Sequence, residues 1–190
     1  MPPKSKVPKE WIVSAALDIV RRDGLDAVNA RSVAAALGCS TQPVFSNFPS
    51  MEHLKTAVIT QATRLYREFV ECATGDEQYP PYKARGMAYI RFAKEESELF
   101  QLLYMSKRRE GMPDDGDWDA SIDVLMGYDG ISPETAKQFQ FEMWMFVHGI
   151  AAMIATGYMS FSEQEISRLL SDAFLGLKEL HWPTAQEGTP

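Results

Sequence analysis

Between Asn29 and Leu54 the chain reads NARSVAAALGCSTQPVFSNFPSMEHL, and few local structures accommodate that run. Asn29 can cap a helix through its side-chain oxygen, with Val28 and Val33 placed as a hydrophobic staple around it. Val33, Ala34 and Leu37 then share one buried face. Gly38 follows where a left-handed residue ends a helix, and Ser40 or Thr41 is placed to cap the next. That second helix spans roughly 41–47. It buries Val44 and Phe48, one turn apart, and leaves Thr41, Gln42, Pro43, Ser46 and Asn47 outward. A third helix opens near Ser50. Two short helices about a glycine turn, leading into a longer one, form the layout of a helix-turn-helix DNA reader.

Elsewhere strand signals are nearly absent and the 3.6-residue period recurs, so the chain is expected to be all-α. A first helix covers Pro8 to Asp23, with Ile12, Ala16, Ile19 and Val20 inward and Gly24 stopping it. The helix from Ser50 runs to about Cys72 on a stripe of Leu54, Ala57, Val58, Leu65 and Phe69. Residues 73–81, ATGDEQYPP, are a linker by composition and a candidate domain boundary. Helices are expected over Tyr82–Lys94, Glu96–Arg108, about Ala120–Tyr128, and from the Ser132–Pro133 cap to about Tyr158. An acidic, mobile loop is expected over 110–119. Ser162 with Glu165 is a capping box for a last helix reaching about His181. The organisation expected is a head over 1–55, a helical body over 56–182 and a disordered tail over 183–190.

The net charge of −7 over 190 residues looks wrong for a DNA binder until it is divided. Residues 1–55 carry seven basic side chains against five acids, net +2, and the remainder 12 against 21, net −9. Positive charge therefore gathers in the head, and phosphate should repel the acidic body. Cys39 and Cys72 are too few for a disulfide framework, and no spacing resembles a metal site. Cys39 is read as a small packing residue, since no activating base is visible. The apolar run Met143–Met159 is short for a membrane span and reads as a buried helix. MPPKSKVPK has no apolar signal region behind it, so a cytoplasmic protein is expected, with no membrane partner.

From Ile12 to about Leu54 the chain resembles the DNA-binding domain of TetR-family transcriptional regulators, the likeness resting on Phe45, Ser46, Asn47, Phe48, Pro49, Ser50 and Met51. It departs from the family's pattern where Phe45 replaces Tyr, Asn47 replaces His and Met51 replaces Lys. Loss of the phenol and the lysine removes two phosphate contacts, so a weaker electrostatic term is expected. Residues 82–106, with Trp144, His148 and Gly149, resemble the C-terminal regulatory domain of one branch known for a Trp, His, Gly signature. The resemblance implies a homodimeric repressor of a double-stranded DNA operator, released by a small-molecule effector not yet identified, with no cofactor, metal or catalytic residue.

DNA contacts are expected from Arg31, Ser40, Thr41, Gln42, Pro43, Phe45, Ser46, Asn47 and Lys55. Gln42 suits adenine, Arg31 guanine and Pro43 a thymine methyl. Lys4, Lys6 and Lys9 are either an arm on the DNA backbone or a solvated tail. In the body, Phe100, Tyr104, Met143, Trp144, His148 and Tyr158 are candidate pocket residues, with Tyr104 and His148 as orienting polar groups; plain core is the competing reading. Ile166, Leu169, Leu170, Ala173, Phe174 and Leu177 are candidate dimer-interface residues, beside small residues including Gly149 and Ala152. An enzyme would need a nucleophile elbow, HExxH or phosphate loop, and none is present. A helical carrier of hydrophobic ligands that ignores DNA is the alternative.

Overall fold

The computed structural model describes residues 7–75, 78–107 and 116–182. Lys4 and Lys6, the 183–190 tail and most of the 110–119 segment lie outside the described residues. Among the described residues the chain is helical with no strand. The helices are α1 (Lys9–Asp23), α2 (Ala30–Ala36), α3 (Gln42–Asn47), α4 (Met51–Thr74), α5 (Pro81–Glu95), α6 (Ser97–Phe100), α7 (Asp117–Met126), α8 (Pro133–Ala155) and α9 (Glu163–His181). No helix among them is long and apolar enough to cross a membrane.

Two compact units emerge. The first contains the described residues up to Leu65 and those from Glu96 to Lys107, and the second those within 66–95 and 116–182. Helix α4 is continuous and contributes residues to both, changing over at Leu65–Tyr66.

In the first unit, Ile12, Ala16, Ile19 and Val20 of α1 are buried with Val33 and Ala34 of α2, Val44 of α3, Leu54 and Val58 of α4, and Leu99 and Phe100 of α6. Asn29 caps α2, its Oδ1 accepting from the backbone N–H of Arg31 and of Ser32, both at 3.0 Å. Ser32 Oγ accepts from the Asn29 N–H at 3.0 Å, which closes a reciprocal box. Gly38 sits at φ 62, where a Cβ would be strained. Its expected partner cap differs: Thr41 occupies the N-cap of α3 but makes no side-chain capping bond, its backbone lying in the α region instead of the extended one.

In the second unit, α5 packs on α8 and α9. A Cβ at Gly86 would meet Leu170 Cδ1 at 3.2 Å and Val147 Cγ2 at 3.6 Å, so glycine permits this close approach. Ser162 and Glu165 form the expected capping box on α9. Two expectations need correction. The helix expected over Glu96–Arg108 is a short α6 that widens into a π-turn over Gln101–Met105 and stops at Ser106, whose backbone is extended and whose Oγ donates to the Leu102 carbonyl at 2.6 Å. α8 ends at Ala155, short of Tyr158, because Gly157 (φ 68) turns the chain out of the helix.

Candidate functional site

Helix α3 is sorted by its own periodicity. Val44 and Phe48 are buried, at 1% and 3% exposure, while Gln42, Phe45 and Ser46 are exposed, Phe45 to 58%. A solvent-facing phenylalanine on a two-turn helix costs hydrophobic stabilisation unless something covers it. Ser46 Oγ donates to the Gln42 carbonyl at 2.9 Å and keeps its lone pairs for another donor. Asn47 Nδ2 donates to the Pro43 carbonyl at 2.8 Å and the Val7 carbonyl at 3.4 Å, so its amide hydrogens tie α3 to the segment entering α1. Thr41 and Pro43 are half-buried and Ser40 is exposed.

The cations around this face differ in what they touch. Arg21 forks onto Glu96 at 2.9 and 2.7 Å, and Arg22 pairs with Asp23 at 2.8 Å. Lys9 Nζ lies 5.1 Å over the Phe48 ring. Arg31, exposed, and Lys55, half-buried, have no carboxylate partner among the described residues. A guanidinium and an ammonium without a carboxylate are groups an external phosphate can reach without breaking an ion pair.

The second unit holds a polar cluster that spans α4, α5, α7 and α8. Tyr66 donates to Asp117 Oδ2 at 2.6 Å, and Arg85 pairs with Asp117 Oδ1 while its Nε donates to Ser121 Oγ at 3.1 Å. Tyr82 donates to Gln140 Oε1 at 2.6 Å; burial, with the Asp117 carboxylate and Tyr128 nearby, holds its phenol above the usual range. The Tyr89 hydroxyl meets His148 Nδ1 at 2.9 Å, and His148 stacks on Trp144 with ring centres 5.0 Å apart and planes inclined by 17°. Burial pushes the His148 imidazole below its usual value. Around Arg85, Asp117, Gln140 and Trp144 remains a hollow of about 40 Å³, room for a water or two.

Of the expected pocket residues, Met143, Trp144 and His148 come together here. Phe100 and Tyr104 belong to the first unit, with ring centres 5.3 Å apart and Phe100 fully buried in its core. Tyr158, expected as a wall, is 79% exposed beyond the end of α8. A larger cavity of about 370 Å³ opens where α5, α8, α9 and the turn at Tyr128 meet; Met143 is the one expected pocket residue that lines it. Leu170 and Phe174, expected on a dimer interface, line it too, and Phe174 packs on Tyr82 and Phe139 at 5.7 and 5.1 Å. Ile166 and Leu170 are 5% and 2% exposed within the chain itself. Ile166 and Leu170 are core positions; Phe174 packs inward but, like Leu169, Ala173 and Leu177, is only partly covered.

Residues 82–174 match the model of the tetracyclin repressor-like, C-terminal domain. Over that stretch, just under half of its 190 residues, the chain is TetR-like. TetR-like folds recur among solved structures. A Rhodococcus sp. RHA1 protein of unknown function is 19% identical, with a TM-score of 0.73 over 93% of this chain and 97% of its own. The multidrug binding protein EbrR, complexed with imidazole, is 17% identical, with a TM-score of 0.61 over 87% of this chain and 93% of its own. A single-site TetR variant from Acinetobacter baumannii AYE, complexed with minocycline, is 16% identical, with a TM-score of 0.62 over 93% and 99%. Comparison with curated protein sequences gives no match. The match over this domain supports a transcriptional regulator of the tetracyclin repressor type.

Proposed function

We propose that this TetR-family regulator is a homodimeric repressor that reads a palindromic operator with α3 and leaves it when a small molecule occupies the helical body. The observation that carries the reading is the division of α3, with its packing residues buried and Gln42, Phe45 and Ser46 presented to solvent, together with an exposed Arg31 on α2 that has no carboxylate partner among the described residues. Arg31, Ser40, Thr41, Gln42, Pro43, Phe45, Ser46, Asn47 and Lys55 form the proposed DNA contact set. The Ser46 back-bond and the committed Asn47 amide make Gln42 and Arg31 its strongest base readers.

A single head reads one half-site, so tight binding requires a second head about one DNA turn away. The proposed dimer face uses positions that the chain leaves open: Leu169, Ala173, Gly176 and Leu180 on α9, spaced by four, three and four, and Met145, Gly149 and Ala152 on α8. Helix–helix contact across a two-fold axis suits the bare surface at Gly149 and Gly176, where a Cβ would meet nothing within 4 Å. The stacked Trp144 and His148 ahead of Gly149 support the narrower branch assignment. Ligands in the EbrR and Acinetobacter baumannii structures support a ligand-receiving body. Helix α4, continuous from Met51 to Thr74, contributes to both units, and in this reading occupation of the body acts through it to leave a pair of heads that no longer fits two half-sites.

The test is fluorescence anisotropy of the full-length protein on DNA from just upstream of its own coding sequence, titrated with salt and with unrelated DNA as competitor. Competitor-resistant binding is expected, weakened roughly 10- to 100-fold by Gln42→Ala. Binding to genomic fragments no tighter than to unrelated DNA would overturn the repressor reading and leave a hydrophobic-ligand carrier.

A further inference from the structure

We propose that the 370 Å³ cavity at the junction of α5, α8 and α9 is the effector site and takes an apolar-tailed carboxylate whose head group sits on Lys83. This rests on the reading of the protein as a ligand-released regulator and adds to it the chemical class of ligand.

The walls are almost wholly apolar: Met143 from α8, Leu170, Phe174 and Leu175 from α9, and the ring of Tyr82. One full charge interrupts them. Lys83 is half-buried on α5, and its Nζ donates to Ser171 Oγ at 2.8 Å and lies 5.2 Å over the Tyr79 ring. An ammonium carries three donors, and none of the contacts of Lys83 is to a carboxylate among the described residues. Ser171 cannot neutralise it, since its own hydroxyl proton goes to the Ser167 carbonyl at 3.1 Å. Tyr128, from the turn between α7 and α8, adds a second donor, for its hydroxyl has no hydrogen-bond partner among the described residues. A cavity with one unneutralised cation, one idle hydroxyl donor and hydrocarbon walls selects an anion at one end and methylene groups elsewhere. A cationic ligand would meet Lys83 as a like charge, and a neutral chain would leave its ammonium without a counter-charge.

Size narrows the class further. At about 30 Å³ for each water-sized group, 370 Å³ holds on the order of a dozen non-hydrogen atoms. A straight ten-carbon carboxylate has that size. It would lay its chain between Leu170 and Phe174 and place its two oxygens within reach of Lys83 and Tyr128. No bond is made or broken, so reversible occupation is the whole chemistry. The neighbouring hollow at Arg85 cannot take this role, because it is about a tenth as large and its guanidinium is already paired with Asp117.

The experiment is isothermal titration of the full-length protein with decanoate, 1-decanol and decyltrimethylammonium, without DNA. Decanoate is expected to bind at least about tenfold tighter than decanol, with the cationic chain weakest. Lys83→Met, which keeps the stem, should remove the preference for decanoate over decanol. Leu175→Trp, placed at a position 62% exposed and so tolerant of bulk, should weaken decanoate and decanol alike by filling the mouth. Equal affinity of wild type for decanoate and decanol, or a carboxylate preference that survives Lys83→Met, would overturn the proposal. A second titration, of decanoate into the operator complex followed by anisotropy, separates the two readings: decanoate that binds the free protein as expected but leaves the operator complex intact would overturn the release mechanism while the site stands.

Discussion

Replacing Tyr66 by Phe probes the hydrogen-bonded junction of the second unit with minimal change of shape. The ring is fully buried, edge-on to Tyr89 and Phe92 at 6.1 and 5.2 Å, and those contacts survive the substitution. What is lost is the donor to Asp117 Oδ2 at 2.6 Å. Asp117 keeps Arg85 on its other oxygen, so its charge remains paired, but one carboxylate oxygen loses a partner in a site where the Asp117 side chain is only 19% exposed. A hydrogen bond to an ionised group contributes about 1.5–3 kcal/mol, which in a chain of this length lowers Tm by roughly 4–8 °C for the middle of that range. Urea unfolding of wild type, Tyr66→Phe, Asp117→Ala and the double variant, followed by both tryptophan fluorescence and circular dichroism, measures the term and tests for a single transition. The double variant should be at least about 1 kcal/mol more stable than the sum of the single losses implies, since either change alone removes the same bond. Additive losses, or a Tyr66→Phe loss below about 0.5 kcal/mol, would refute the claim that this bond ties α4 to the start of α7.

Asn29→Ala should cost about 1 kcal/mol by opening the reciprocal cap on α2, seen as a lower urea midpoint, and Asn29→Asp should restore most of it. His148 has a folded pKa below its usual value near 6.5, so the stability it contributes is present above that pH and lost as pH falls below it. Wild type should therefore lose more stability than His148→Gln between pH 7.5 and 5.5, and parallel pH profiles would contradict this. Glu142 is likewise held below the carboxylate range, first by the Gln138 amide and then by His181; its contribution is present above the unfolded carboxylate pKa and lost as pH falls through the folded one. Glu142→Gln should flatten the acid limb of the stability profile below about pH 4.5. Ala173→Arg, on the open face of α9, should shift sedimentation from dimer to monomer without lowering Tm by more than a few degrees.

Features written into neighbouring residues were legible in the sequence. Asn29, Gly38, Val44 and Phe48 act over one or two turns, and Ser162 with Glu165 closes its cap across three residues, so pattern alone identified them. The Ser32 half of the α2 box was missed because the signature sought there is an acid or amide. The polar cluster could not be read, for Tyr66 and Asp117 are 51 residues apart and Arg85 and Asp117 are 32 apart. Lys83, Tyr128 and Ser171 likewise come from three elements with no local motif joining them. Periodicity marked Ile166, Leu169, Leu170, Ala173, Phe174 and Leu177 as one apolar set on α9, but it does not say which of them face their own chain. The structure assigns Ile166, Leu170 and Phe174 inward and leaves Leu175 and Leu180 out, at 62% and 70% exposure.

Charge decides how such a head has to work. With the chain at −7 and its first 55 residues at only +2, long-range attraction to DNA is weak, and pairing weakens it further. Arg21 is held by Glu96 and Asp18, and Arg22 lies beside Asp23, so neither reaches a phosphate without giving up a carboxylate. Lys9 is engaged over Phe48, which leaves Arg31 and Lys55 as the readily available cations among the described residues of the head. Two phosphate contacts per head, and four per dimer, imply a logarithmic salt slope of about −3 to −4, shallow beside the −10 of a strongly electrostatic repressor. The affinity lost from counterion release has to be recovered from base edges and from the doubling of heads. On the proposed reading the exposed Gln42 and Phe45 supply the first, and the open faces of α8 and α9 the second. Operator binding should consequently be more sensitive to Ala173→Arg than to a doubling of salt, because at this charge a single head has too few contacts to hold DNA alone.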